Sequence, residues 1–216
     1  MKNKRTQKLI ECAIFIALAT VLSLVKIIPM PFGGSVTLLS MLPIIIISYR
    51  HGLKWGIPSA LIYSVIQGLL DVSVISGAFM PGDAQMVWYN AILMCLLDYI
   101  VAFAVLGFGG LFRKRANPSE ALCLGAITAV LLRYVTHILS GAILWSTWAE
   151  WFFTDVIGGE TGAYVLSHFS GAGLSIIYSI VYNGIYMIPE IIFTGIAAYL
   201  VGKIPYIAKK SDIKEA

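Results

Sequence analysis

The sequence predicts an all-α integral membrane protein of six transmembrane helices, with both termini cytoplasmic. Three observations carry that prediction. Of 216 residues, 59% are hydrophobic and only 12% charged, about half the ~25% usual for a soluble domain. Several apolar runs reach the ~20 residues that a helix needs to cross a bilayer core, and the mean hydropathy is +0.86. Lys and Arg are distributed one-sidedly between the runs. A soluble domain of this length could not bury so much apolar surface. Soluble enzyme, nucleic-acid binder and disordered chain are therefore excluded.

The six helices are expected at about 8–28, 35–49, 53–70, 86–112, 120–145 and 172–201, within one domain covering 1–216. Lys2, Lys4, Arg5 and Lys8 before the first run resemble a signal-peptide n-region. The apolar stretch that follows is longer than a signal core, so it reads as a retained first span, stopped by Pro29-Met30-Pro31. The second run is short and contains Pro43; the sixth contains Pro189, an expected kink. All-helix follows because a lipid-exposed backbone must satisfy its own hydrogen bonds and the alternation of a barrel strand is missing. The segment 71–85, with Gly77, Pro81 and Gly82, reads as a mobile outer loop. The segment 146–171 is long and aromatic: Trp148, Trp151, Phe152 and Phe153 suit either an interfacial anchor or a lid over a pocket.

Charge sets the orientation. Of 15 Lys and Arg, all but Lys26 and Arg133 cluster before helix one, between helices two and three (Arg50, Lys54), between four and five (Arg113, Lys114, Arg115) and after helix six (Lys203, Lys209, Lys210, Lys214). The opposite loops carry Asp71, Asp83, Glu150, Asp155 and Glu160. The positive-inside rule then places both termini in the cytoplasm. The net charge of +4 orients the protein and indicates no nucleic-acid partner.

Polar groups at membrane depth are expensive and tend to be functional. The fourth helix supplies Asp98 and Tyr99. The fifth supplies Arg133, Thr136 and His137, with Arg133 and His137 one turn apart on a stripe continued by Gly141 and Trp145. The sixth supplies Tyr178, Tyr182, Asn183, Tyr186 and Glu190; the third adds Tyr63 and Gln67. With Trp88, these residues are able to line one outward-opening ligand pocket with aromatic walls, a carboxylate, an imidazole and a carboxamide. Such a site suits a flat, partly cationic, hydrogen-bonding ligand. The alternatives are structural. Asp98 or Glu190 would pair with Arg133, the tyrosines would pack, and the tryptophans would belong to an interfacial belt.

Other chemistry finds no support. Cys12, Cys95 and Cys123 are odd in number, lack metal-ligand spacing and read as buried, inert thiols. No phosphate-binding loop, metalloprotease motif or nucleophile elbow is present, so neither a catalytic residue, a metal site nor a cofactor is expected. A small binding subunit energised by partners fits better than a self-contained pump.

Five ordered blocks carry a resemblance: ECAIFIALATVLSL at 11–24, GGSVTLLSMLPIIIISYRHGLKWGI at 33–57, LLDYIVAFAVLGFGGLF at 96–112, LLRYVTHILSGAILW at 131–145 and YSIVYNGIYMIP at 178–189. Together they resemble the thiamine-specific substrate-binding subunit (S-component, ThiT or YuaJ type) of energy-coupling factor (ECF) transporters. The resemblance implies a six-helix fold with a deep outward pocket for thiamine. Its ligand contacts would be Asp98, Tyr99, His137, Gly141, Trp145, Tyr178 and Asn183, with Tyr63 and Trp88 as further aromatic positions. The acidic position is Asp here where some members have Glu, and the first outer loop has Phe32 where some have Trp. Ala13 and Ala17 match the small-xxx-small docking motif of helix one. The implied partners are thiamine as transported ligand, a transmembrane coupling subunit, two ECF ATPases and the lipid bilayer of a bacterial plasma membrane. A stand-alone proton-coupled transporter of thiamine or a related vitamin, relaying protons through Asp98, His137, Arg133 and Glu190, is the alternative.

Overall fold

The computed structural model describes residues 4–30 and 34–211; Lys2, Pro31, Phe32 and Lys214 lie outside them. The chain is a bundle of helices with one small hairpin. The helices are α1 (Lys4–Ser23), α2 (Leu42–His51), α3 (Leu53–Leu70), α4 (Val72–Phe79), α5 (Trp88–Gly110), α6 (Pro118–Leu144), α7 (Gly159–His168), α8 (Gly171–Val201) and α9 (Pro205–Ala208). The strands β1 (Lys26–Pro29) and β2 (Ser35–Thr37) pair antiparallel between α1 and α2. Among the described residues, α1, α5, α6 and α8 are each long and apolar enough to cross a membrane. The pair α3–α4, bent by 69° at Asp71, makes a fifth if taken as one span.

The hairpin corrects the expected ends of the first two helices. α1 stops at Ser23, where the Thr20 hydroxyl bonds back to the Ile16 carbonyl and the Ser23 hydroxyl to that of Thr20. The Val25-Lys26-Ile27-Ile28-Pro29 run that follows is β-branched and ends at a proline, a composition that favours extended chain over helix. Its apolar character had extended the expected helix to residue 28. α2 correspondingly starts at Leu42, which puts Pro43 in the first turn, where its missing N–H is harmless. This ten-residue helix is buried along its whole length. At about 15 Å long it is shorter than the ~30 Å bilayer core.

The expected mobile segment after residue 71 contains a regular helix, α4, instead. The aromatic segment 146–157 is helical throughout, as successive short turns. Phe152 and Phe153 are buried in it, so these two rings are core and not an interfacial anchor. Of the cysteines only Cys12 is buried; Cys95 and Cys123 are intermediate.

Glycines allow the closest crossings. A Cβ on Gly125 of α6 would overlap the Gly109 carbonyl oxygen, and one on Gly107 would meet the Ile57 backbone at 2.6 Å. The Ser48 hydroxyl donates to the Gly107 carbonyl and accepts from the Gly110 N–H at 3.0 Å. α5 is thereby sewn to α2 where its last turns, Val105–Gly110, tighten to 3-10 geometry. α6 begins at the Asn117 cap, whose side chain accepts from the Ser119 N–H at 3.0 Å.

The end of the bundle opposite the hairpin is tied by charge. Glu11 of α1 pairs with Arg50 and, at 3.2 Å, with His51 of α2. Arg113 donates to the Tyr49 and Arg50 carbonyls at 2.9 Å. The chain after α9 closes over this cluster, with the Ser211 N–H on the Arg50 carbonyl at 3.0 Å.

Candidate functional site

A cavity of about 360 Å³ opens near the hairpin, between α3, α5, α6 and α8. Its volume lies in the ~300–1,000 Å³ range of small-molecule sites. Its key side chain is presented by a wide turn: Cys95–Val101 of α5 is π-helical, a local expansion that re-aims side chains and is frequent at functional sites. Asp98 sits in this turn. Its Oδ1 lies 3.2 Å from His137 Nδ1, and its Oδ2 accepts from Trp145 Nε1–H at 3.2 Å. Each carboxylate oxygen thus keeps one further lone-pair direction for a guest.

The partner expected for Asp98, Arg133, is engaged elsewhere. Its Nε–H donates to His137 Nε2 at 3.2 Å, and its guanidinium lies over the Phe103 ring, 4.1 Å from the centroid. Glu190 does not meet Arg133 either. Its Oε1 accepts from the Thr37 N–H at 2.5 Å and from the Thr37 hydroxyl at 2.7 Å, tying β2 to α8. The structural alternative of an Asp98 or Glu190 ion pair with Arg133 is therefore not what these side chains do.

The aromatic wall comes from α8. Tyr178, Tyr182 and Tyr186 are buried on successive turns, with Asn183 beside them. Phe152 backs two of them edge-on, at 5.4 Å from Tyr178 and 5.6 Å from Tyr182. Tyr186 donates to Asn183 Oδ1 at 2.6 Å, and Asn183 Nδ2 donates to the His137 carbonyl at 3.2 Å. Gly141 makes this crossing possible: a Cβ there would overlap Ser179 Oγ and lie 3.1 Å from Asn183 Nδ2. Lys26 of β1 and Asp71 at the α3–α4 bend stand 3.6 Å apart among the lining residues.

Of the residues singled out from the sequence, Asp98, Tyr99, His137, Gly141, Trp145, Tyr178 and Asn183 all line this one cavity. Tyr63 does not. It is fully buried behind the wall, edge-on to Phe103 at 5.4 Å. Trp88 lies away from the cavity at the start of α5, 69% exposed and edge-on to Tyr89. Ala13 and Ala17 lie on the outer face of α1 and are exposed. The hairpin's contribution was not foreseen: Gly34, Ser35 and Thr37 line the cavity. Gly34 is at φ +82° with Tyr186 packed against it. The only signal for it was the Ser/Thr/Gly content after Pro31.

These features define a multi-pass helical membrane protein whose bundle holds one solute-sized, aromatic, carboxylate-bearing cavity. The chain belongs to the thiamine transporter protein (YuaJ) family, whose model matches residues 9–153. It is 33% identical to the thiamine transporter ThiT of Bacillus subtilis (strain 168), over 92% of each chain. Its fold matches a solved structure of ThiT from Listeria monocytogenes with a TM-score of 0.66 at 24% identity, covering 95% of this chain and 98% of that one.

Proposed function

We propose that this chain binds thiamine in the cavity at the outer face of a bacterial plasma membrane, as the substrate-binding subunit of an ECF importer. The observation that carries the ligand reading is Asp98, a carboxylate held by two donors at the edge of an aromatic box. Thiamine joins a neutral aminopyrimidine to a thiazolium cation. Asp98 supplies the counter-charge, Trp145, His137 and Tyr178 flank the rings, and Asn183 meets a polar substituent. Tyr99 and Gly141 complete the wall. A cation over an aromatic face gains about 0.5–2 kcal/mol, more when desolvated. Tyr63 acts from behind the wall through Phe103, and Trp88 is left out of the contact set.

The topology in this reading has six crossings: α1, α2 with its hairpin, α3, α5, α6 and α8. The basic loops at Arg50–Lys54 and Arg113–Arg115 and both termini face the cytoplasm, as the positive-inside rule requires. The whole chain is one domain, needs no cofactor and performs no chemistry on its ligand. ATP is hydrolysed by two partner ATPases, and a transmembrane coupling subunit docks against the small-residue stripe Ala13–Ala17. The second reading is proton-coupled transport by this chain alone, and the observation favouring it is the direct His137–Asp98 contact.

Calorimetry on the purified protein tests the ligand, using thiamine, its phosphates and its uncharged pyrimidine half. Thiamine must bind at least about tenfold more tightly than the pyrimidine half; equal affinity removes the counter-charge from the reading. Liposome uptake separates the two energetic schemes. Accumulation that needs ATP and partner subunits supports the importer, and accumulation by this chain alone that an uncoupler abolishes supports the second reading.

A further inference from the structure

We propose that Arg133 is a positioning residue that occupies the Nε2 lone pair of His137, so that the ring carries its single proton on Nδ1 and Asp98 is kept free to receive a cation. The inference rests on the reading of Asp98 as the counter-charge of a cationic guest. It starts from the donor–acceptor order of one hydrogen-bonded row. An arginine Nε–H can only donate, and Arg133 Nε lies 3.2 Å from His137 Nε2. The Nε2 atom must therefore present a lone pair, and the single imidazole proton sits on Nδ1. That proton points at Asp98 Oδ1, 3.2 Å away. The opposite tautomer would set N–H against N–H at Arg133 and a lone pair against a carboxylate oxygen at Asp98. A doubly protonated ring would also confront the guanidinium.

Two groups act on the imidazole from its two ends: Asp98 calls for the proton on Nδ1, and Arg133 occupies the Nε2 lone pair that a second proton would need. From α5 it is faced by Asp98 and from its own helix by Arg133. From α8 it is faced by the Tyr186 ring, edge-on at 6.0 Å, and by Asn183, which bonds its main-chain carbonyl. Arg133 is itself held, its guanidinium over Phe103. The consequence is functional. A His137 carrying two protons would be a resident cation on Asp98 and would compete with a cationic ligand for the same charge. With Arg133 in place the site stays available as the medium acidifies.

Two measurements on the purified full-length protein test this. In the first, nitrogen-15 NMR of histidine-labelled protein without ligand reads the His137 tautomer directly. Protonated Nδ1 with unprotonated Nε2 is the expected result in wild type, with Nε2 gaining a proton in Arg133→Met as the pH falls to 5.5; a proton on Nε2 of wild type, or identical spectra for the two proteins, overturns the proposal whether or not thiamine is the ligand. In the second, thiamine affinity is followed from pH 7.5 to 5.5 in wild type, Arg133→Met and Arg133→Lys. Wild type and the lysine variant, which keeps a cationic donor, hold their affinity. The methionine variant loses about threefold or more, because a His137 free to take a second proton competes with the ligand for Asp98. Parallel profiles for the methionine variant and wild type overturn the proposal. Failure of all three proteins to bind thiamine instead overturns the ligand reading and leaves the NMR result to stand alone.

Discussion

Replacing Asp98 by Asn is the most direct test of the binding site, and its size follows from the geometry. The carboxylate accepts from His137 and Trp145, each at 3.2 Å, and its side chain is 18% exposed. A cation stacked on Trp145 would stand about 4–5 Å from it. At an effective dielectric near 20, that pair is worth about 3–4 kcal/mol. The amide dipole recovers part of this, leaving a loss of about 2–3 kcal/mol, comparable to a hydrogen bond to a charged group. Asn also has one donor end, which must confront the N–H of either His137 or Trp145. Calorimetry with thiamine should show binding weakened about 30- to 150-fold. Asp98→Glu keeps the charge and should lose less than about tenfold. An Asn variant binding within about threefold of wild type refutes the counter-charge argument.

Other substitutions probe the frame around that carboxylate. Gly141→Ala forces α6 away from Ser179 and Asn183; we expect thiamine affinity to fall at least about tenfold, as overpacking costs ~1–3 kcal/mol, read by calorimetry alongside a thermal melt. Gly125→Ala drives a methyl into the Gly109 carbonyl at a crossing remote from the cavity, so the melting temperature should drop and any folded fraction should bind normally. Glu190→Ala leaves the Thr37 N–H without its acceptor and the Thr37 hydroxyl with Ser40 Oγ alone, costing about 1–3 kcal/mol. Hydrogen exchange at residues 35–37 should accelerate accordingly, and unchanged protection would show that the hairpin is held by other contacts. Ala17→Leu on the exposed face of α1 should abolish cellular uptake while leaving binding intact. Loss of binding in that variant would identify a folding defect rather than a docking one.

Much of this protein was legible from composition alone, and the reason is the solvent. In a bilayer an unpaired backbone group is so costly that long apolar runs become helices almost independently of their detailed sequence. The helices α3, α6 and α8 accordingly fall within a few residues of the positions expected from hydropathy. The same rule explains why Asp98, His137 and Asn183 stood out, since a polar side chain needs a reason to be at that depth. Helical spacing was enough to put Arg133, His137, Gly141 and Trp145 on one stripe.

What hydropathy could not decide was anything that depends on a partner distant in sequence. The run 26–29 is β-branched and apolar like the helix before it, yet it becomes a strand because β2 pairs with it, and β2 is itself held by Glu190 of α8. Tyr63 and Tyr178 are both tyrosines on membrane helices, but only the packing of Phe103 in front of one and open space before the other separates wall from lining. The π-helical turn that aims Asp98 has no motif of its own. Nor does any spacing rule state that Arg133 turns to His137 rather than to a carboxylate. The sequence by itself determined where the long apolar helices lie and which polar groups sit within them, because both follow from the cost of leaving water one residue at a time. Tertiary structure decided which of those groups meet, because hydrogen bonds of 3 Å depend on the crossing of helices from opposite ends of the chain.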